Sequence, residues 1–547
     1  MPTNPNPVKS FITACSLALL LAAGGAAPAV AAEKNAQITG AKQKPWIVKD
    51  GDKTDTDTVT VHAVPAEAPV ISYASPGDKV STVFTVTVNG TAVNVTEFFG
   101  MHYAHLAAAG PVEVVATASE NITRFSISPK RLAIPGTVEG KSLRFTINCS
   151  QPRYLILFIN SLPHLCILID QPEVTPPQLT DAHVVNAMDF LTDATGATAQ
   201  TEGFARAIAA VNGTGKILFV PAGCYLTDTI RIKDCTNFTL YLAPGCLIRT
   251  ALCQPNAPRS ISGMTIEDSR NITILGRGVL DNQAFQNYQV PGINYENSGA
   301  YPVYGARNLR LTIDGLTVRN ARNWNYLIAE TDDLVMRQVK AITPPACSPN
   351  WTDGINLSSN QGVLVDHAFA YCNDDSFASG HYYPYMNRDS SGMVIRNMVG
   401  WNPRANGIRI GFDCSYNLND YTFENCDFIG QLEAGILIHG LKNNGRYTRI
   451  RLENCGFEQS EMREGLVRTT GPWYGGWPPA SEPLPHIDSL ELVNVTLDAV
   501  KPSTIAGNPD GGIKHLLIDN LVMNGHRCTD LQDARITVSH VGDVVFK

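Results

Sequence analysis

From Leu309 onward, short apolar runs return mostly 25 to 30 residues apart: Leu309-Arg-Leu-Thr-Ile, Leu334-Val-Met, Val363-Leu-Val, Met393-Val-Ile, Tyr421-Thr-Phe, Thr448-Arg-Ile-Arg-Leu, Leu490-Glu-Leu and His515-Leu-Leu-Ile. Phe238-Thr-Leu-Tyr-Leu and Ile272-Thr-Ile-Leu precede them with the same character. A unit this short cannot enclose its own apolar side, so it folds only by stacking on its neighbours. Asparagine recurs at the turns, where it tolerates left-handed backbone and forms ladders. The pattern predicts an all-β chain whose residues 180–547 form a right-handed parallel β-helix of ten to twelve rungs. The one convincing helix, Glu202 to Val211, places Phe204, Ala205, Ile208 and Ala209 on an apolar face and is expected to cap the open end against edge pairing.

Upstream the pattern differs. Val83 to Val88, Val112 to Ala118, Ile122 to Ile127, Leu143 to Asn148 and Tyr154 to Ile159 alternate apolar and polar residues between turns, as half-buried antiparallel strands do. They predict a β-sandwich over 61–172, closed by Pro172, Pro176 and Pro177. Residues 33–60 read as a polar linker. Residues 1–32 read as an export signal: Lys9, an apolar run from Phe11 to Ala23, then small residues from Pro28 to Ala32. A secreted, extracellular protein is expected, with no membrane association. Of 13 cysteines, twelve follow Cys15, an even number that permits disulfides in an oxidising compartment. Ten Asn-x-Ser/Thr sequons, among them Asn350 and Asn356, add candidate glycan sites. With 42 basic against 50 acidic residues and a net charge of -8, the chain lacks the basic footprint of a nucleic-acid binder.

Chemistry concentrates in one stretch, Trp351-Thr-Asp353-Gly-Ile-Asn356 followed by Asn373-Asp374-Asp375-Ser-Phe-Ala-Ser-Gly-His381. Asp353 and Asp374 lie about one rung apart, and stacked strands are roughly 4.8 Å apart, so both converge, with Asp375 alongside. Packed carboxyls raise one another's proton affinity, which supplies the protonated acid and ionised base that glycoside hydrolysis needs. A calcium site, or solvated Asp turns, is the alternative reading of the same residues. Aromatic residues nearby suit the apolar faces of sugars: Tyr383, Trp401, Trp473 and Trp477. Asn356, His381, Asn406, Arg409 and His439 complete the expected substrate-binding set. Metal-ligand spacings such as Cys-x-x-Cys and His-Glu-x-x-His are absent, and no metal or cofactor is expected.

These residues resemble the active strands of β-helical glycoside hydrolases. In family 28, the polygalacturonases, the pattern runs Asn-Thr-Asp, Asp-Asp, Gly-His-Gly, Arg-Ile-Lys. Thr352-Asp353 and Asp374-Asp375 match the first two elements. The resemblance implies Asp374 as general acid, with Asp353 and Asp375 activating water in an inverting reaction. In rung order Asn406 replaces the histidine, and Leu437 and His439 replace the arginine and lysine. If Gly407-Ile-Arg409-Ile-Gly411 is the counterpart instead, the arginine is kept and the lysine becomes glycine. Either alignment loses part of the basic pair that receives a uronate. The chain also resembles family 49, the dextranases and isopullulanases, which lack that pair and carry an N-terminal β-sandwich.

The reading is therefore an inverting hydrolase of a neutral, α-linked glucan-type polysaccharide or oligosaccharide. The alternatives are a polygalacturonase-like hydrolase or β-helical lyase on an acidic glycan, and a non-catalytic glycan-binding protein or adhesin.

Overall fold

The computed structural model describes residues 68–256, 262–293, 301–348, 351–380, 387–412, 414–471, 483–498 and 501–547. The export signal and the linker lie outside them. The described chain is a right-handed parallel β-helix preceded by a β-sandwich, the handedness being that of nearly all parallel crossovers. Among the described residues, no helix is long and apolar enough to cross a membrane.

The sandwich is organised by one long strand, Met101–Ala118. Its first half pairs antiparallel with Ala68–Tyr73 and parallel with Leu165–Asp170. Its second half pairs with Phe84–Val88 and Ser142–Cys149. The change of partners falls at Gly110-Pro111, where Gly110 takes a φ of 69°, so a single strand serves both layers. Val86, Leu106, Val114, Phe145, Leu155 and Ile167 fill the space between them.

Successive rungs contribute one strand to each of three parallel sheets, two of 13 strands and one of 11. Inward-facing Ile, Leu, Val, Phe and Met make one continuous core from Leu218 to Ile536. At the turns Asn237, Asn271, Asn454, Asn494 and Asn520 take φ between 52° and 56°. Their side chains form ladders: Asn271 Nδ2 donates to Asn237 Oδ1, and Asn520 to Asn494, which donates to Asn454. The helix Thr201–Val211 packs on the first rung. Its buried face is Phe204, Ala207, Ile208 and Val211, whereas Ala205 and Ala209 face solvent; the i, i+3, i+4, i+7 stripe is the one 3.6 residues per turn brings together.

The twelve cysteines from Cys149 to Cys528 are all buried and none forms a disulfide, which corrects the expectation of disulfides. They act as small apolar core groups, as Cys372, Cys414, Cys426 and Cys455 do inside the rungs.

One sheet of the β-helix is covered by the sandwich. Phe98, Tyr103, Tyr154, Cys166 and Leu168 pack on Ile342, Phe369, Tyr371, Val399, Trp401 and Ile429. Leu165–Asp170 is thereby buried on both faces, so its sequence, Leu-Cys-Ile-Leu-Ile-Asp, does not alternate. Two buried ion clusters fasten the seam. Asp170 accepts from Tyr154 Oη at 2.9 Å and pairs with Lys340, with Arg277 at 3.1 Å and with His105 at 2.9 Å. Arg319 pairs with Asp281 at 2.8 Å and Asp78 at 2.7 Å, and donates to Tyr103 Oη.

Candidate active site

The 11-stranded sheet faces away from the sandwich partners just described and carries the acidic stretch. Along Ile355–Ser358, Phe377–Ser379, Ile408–Ile410 and Ile436–His439, the residues Ile355, Phe377, Ile408 and Ile436 point into the core. The alternate positions line the other side in one column: Leu327, Asn356, Ala378, Arg409, Leu437 and Arg468 are paired in register on successive rungs.

The ladder continues into the turn ahead of each strand. Gly354 N donates to Asp375 O at 2.9 Å, and Asn325 N to Asp353 O at 2.9 Å. Counting back from the paired strand residues, Trp324, Asp353, Asp375, Asn406 and Ala434 occupy one place on consecutive rungs. The rung equivalent of Asp353 is thus Asp375 rather than Asp374, because the turn before Phe377 carries both acids in sequence. Asp374 joins through its own bend, where its Oδ1 accepts from Asp375 N at 3.0 Å.

Oxygens of Asp353, Asp374 and Asp375 all lie within 4.8 Å of one another, and all three residues are buried. Burial and the charges of Asp374 and Asp375 hold the Asp353 carboxyl well above the usual range. Burial and Asp375 push Asp374 up to about 7, against the opposing pull of Arg409 and Arg404. Asp375 Oδ1 accepts from Asn406 N at 3.0 Å and Asn406 Nδ2 at 2.8 Å, and its Oδ2 faces Arg409 Nη1 at 3.4 Å. Asn356 Nδ2 donates to Asp353 Oδ2 at 3.0 Å, while its own Oδ1 has no partner among the described residues. Asn356 is fully buried, which also removes it as a glycan acceptor. The three carboxylates are near enough to chelate a divalent cation.

Arg409 Nε donates to His439 Nε2 at 3.3 Å, and His439 Nδ1 lies 3.0 Å from Gly471 O. Burial and then the Arg409 charge lower His439 to about 3. It is a neutral ring that holds Arg409 in place. The register places Arg409 opposite Leu437 on the next rung, so the two stretches weighed as counterparts of one family motif are successive rungs. The cation missing at Leu437 stands one rung nearer the carboxylates.

Trp401 is not in this groove. It stacks on Tyr371 with ring centroids 4.0 Å apart and edges onto His164, beneath the sandwich. Its strand, Val399–Trp401, belongs to the covered sheet. His381, Tyr383, Trp473 and Trp477 lie outside the described residues.

Several site residues escaped the sequence reading. Glu433 Oε2 lies 3.5 Å from Asn406 Nδ2, and burial with Asp375 nearby lifts it to about 7. Arg404 acts on both Asp374 and Glu433, and Arg468 follows Leu437 in the strand-side column. Trp324 stacks on Tyr301 with centroids 5.6 Å apart, and Tyr301 on Tyr304 at 6.2 Å. Counting rungs outward from Asp353 is the signal that finds Trp324.

The fold and this cluster define a carbohydrate-active enzyme of β-helical type. A family model described as "Glycosyl hydrolases family 28" matches residues 213–442, which contain the whole carboxylate cluster. The hyperthermoactive exopolygalacturonase of Thermotoga maritima is 18% identical, with 65% of this chain and 94% of that chain covered and a TM-score of 0.50. Dex49A of Penicillium minioluteum is 11% identical over 86% and 96% of the two chains, with a TM-score of 0.49. A family 28 exopolygalacturonase of Yersinia enterocolitica is 15% identical over 80% and 96%, with a TM-score of 0.46. No curated protein matches. The chain matches the β-helical glycoside hydrolases of the family 28 and 49 type distantly but consistently, without singling out one family.

Proposed function

We propose that this protein is a secreted glycoside hydrolase that cleaves an acidic, uronate-containing glycan in the manner of a polygalacturonase. The single observation that carries the reading is the buried Asp353–Asp374–Asp375 cluster with Arg409 against it. The neutral-glycan expectation rested on losing part of the basic pair; what favours the acidic alternative is that Arg409, the retained cation, stands against Asp375, and the family 28 match spans it. In the proposed reaction Asp374 gives its proton to the glycosidic oxygen as the C–O bond breaks. Asp375, the carboxylate held by Asn406 and Arg409, takes a proton from water, whose oxygen bonds to the anomeric carbon, while the Asp353 carboxyl orients that water.

Asp374→Asn should lower kcat by at least about a hundredfold with substrate binding largely kept; unchanged turnover in the purified variant rejects the assignment. The nearest oxygens are closer than the roughly 6.5–9.5 Å between carboxyl groups usual for inversion, so the released anomer is decisive. Inversion is expected by proton NMR, and retention would make Asp353 or Asp375 a nucleophile. Unsaturated products absorbing in the near ultraviolet, lost in chelator, would instead identify a lyase using the carboxylates as a cation site.

A further inference from the structure

Among the described residues, one acid beside the carboxylate cluster takes no part in the proposed reaction. Three residues ahead of the paired positions Phe377, Ile408, Ile436 and Val467 stand Asp374, Ala405, Glu433 and Glu464, one to a rung. The ladder agrees: Glu433 N donates to Ala405 O at 3.3 Å, and Glu464 N to Glu433 O at 3.0 Å. Glu433 therefore follows Asp374 by two rungs, and in that column nothing larger than the Ala405 methyl stands between the two acids.

Asn406 joins Glu433 to the cluster. Its Oδ1 accepts from Ala434 N at 3.1 Å, and its backbone oxygen accepts from Ser376 N at 3.2 Å and Asn402 Nδ2 at 2.9 Å. The first bond fixes the amide, because turning it over would set its NH2 group against an N–H. Nδ2 therefore faces two carboxyls, Asp375 Oδ1 at 2.8 Å and Glu433 Oε2 at 3.5 Å. Asp375 also holds the Asn406 backbone N–H, at 3.0 Å, so Glu433 takes the weaker side of an amide that Asp375 already orients.

At that place a carboxyl acts on the cluster through its charge. Asp374 and Asp375 are buried, whereas Glu433 is half-buried. Burial first and then the Asp375 charge lift Glu433 to about 7, with Glu464 adding to them and Arg409 and Arg404 opposing. Repulsion between like charges is mutual, so an ionised Glu433 opposes ionisation of the cluster. Arg404 draws on Asp374 and Glu433 alike, and Glu464 is itself paired with Arg468 at 3.0 Å. Asp353, Asp374, Asp375 and Glu433 thus hold their protons as one set, with Arg404 and Arg409 against them.

Resting on the hydrolase reading above, we infer that Glu433 is a positioning residue for the reaction: beside the Asn406 amide, its charge sets the pH range over which the Asp374–Asp375 pair keeps the single proton that hydrolysis needs. It acts through Asn406 and the cluster rather than on the sugar.

The pH dependence of kcat/KM, measured on the wild type and Glu433→Gln with a uronate oligosaccharide, tests this. Glutamine keeps an oxygen for Asn406 and removes the charge, so the remaining carboxyls ionise more readily. The acidic limb, where the base gains its charge, and the alkaline limb, where the acid loses its proton, should both move to lower pH by about 0.5–1 unit. KM should change by less than about twofold. Glu433→Asp keeps the charge and should leave both limbs near their wild-type positions, which separates the effect of charge from a disturbed turn. Carbon-13 NMR of the aspartate carboxyls reads the same shift without substrate, the Asp374→Asn protein identifying the Asp374 signal.

Limbs that stay in place in Glu433→Gln, or that move as far in Glu433→Asp, overturn the inference. A KM raised about tenfold with the limbs unmoved also overturns it, by putting Glu433 on the substrate. Carboxyl titrations that shift in a protein hydrolysing no glycan keep the hold of Glu433 on the cluster and reject the hydrolase reading. Hydrolysis with unshifted titrations does the reverse.

Discussion

Asp374 stores a proton at a cost to the folded state. Its folded pKa of about 7 lies above the ordinary 3.8, so the native chain binds more protons than the unfolded chain between those values, and stability falls as pH rises through that window. Asp374→Asn removes the charge that must otherwise appear in a buried cluster. The variant should be more stable than the wild type at pH 8 by about 1–4 kcal/mol, each pKa unit being worth about 1.4 kcal/mol, and close to it at pH 4; denaturant titrations at both pH values measure this. A destabilised variant at pH 8 would mean the carboxyl carries no strain. Arg409 works in the opposite sense, favouring ionised carboxylates on both sides of it. Arg409→Gln should cut kcat/KM on a uronate substrate by about ten- to a hundredfold, while the acidic limb of the pH–rate profile moves to higher pH. Both residues were readable in the sequence, but their relation was not: only the register, with Arg409 against Leu437, shows which rung supplies the cation.

The element that makes this register dependable is the rung, and its turns carry the order. Asn494 accepts from Asn520 and donates to Asn454, both at 3.0 Å, with φ at 52°. Asn494→Ala loses two hydrogen bonds and puts a β-carbon without a compensating contact into left-handed backbone, for an expected loss of about 1–3 kcal/mol; Asn494→Gly, which relieves the backbone, should recover part of it. The repeat was legible because one side of every strand is apolar, and the carboxylates were legible because Asp353 and Asp374 fall about one rung apart, although the register makes Asp375 the rung equivalent of Asp353. What each sheet faces was not. Val399-Gly-Trp401 and Phe369-Ala-Tyr371 read like any other rung segment, since burial beneath a second domain and exposure to a sugar both call for aromatic side chains. Trp324 was missed for the complementary reason, lying outside the carboxylate stretch with nothing nearby to mark its place. The cysteines misled through their even number, which says nothing about their distribution along a core.

At the scale of the whole molecule, the sandwich is a wall of the β-helix. It covers the sheet carrying Ile342, Phe369, Tyr371, Val399, Trp401 and Ile429, an apolar surface of the kind monomeric proteins do not leave open. The seam is closed by charge as well as by packing. Asp170 is the counter-ion of Lys340 and Arg277, both buried, and these cations hold its carboxyl well below the ordinary range. A depressed carboxyl contributes stability above the unfolded pKa and loses it as pH falls through the folded one, so on the acid side the seam should hold until the pH is strongly acidic. Asp170→Ala leaves the buried Lys340 without its anion and Arg277 with only its longer pair to Asp314 at 3.6 Å, at an expected cost of about 3–5 kcal/mol. Trp401→Ala opens a cavity in the same seam and should cost about 3–5 kcal/mol. Because the Trp401 ring packs beneath the sandwich and not in the groove, kcat and KM of the surviving folded protein should match the wild type. Equilibrium denaturation paired with steady-state kinetics reads both numbers from one preparation. A Trp401→Ala protein of normal stability but raised KM would return this side chain to the groove and detach the sandwich from the support it gives the rungs beneath it.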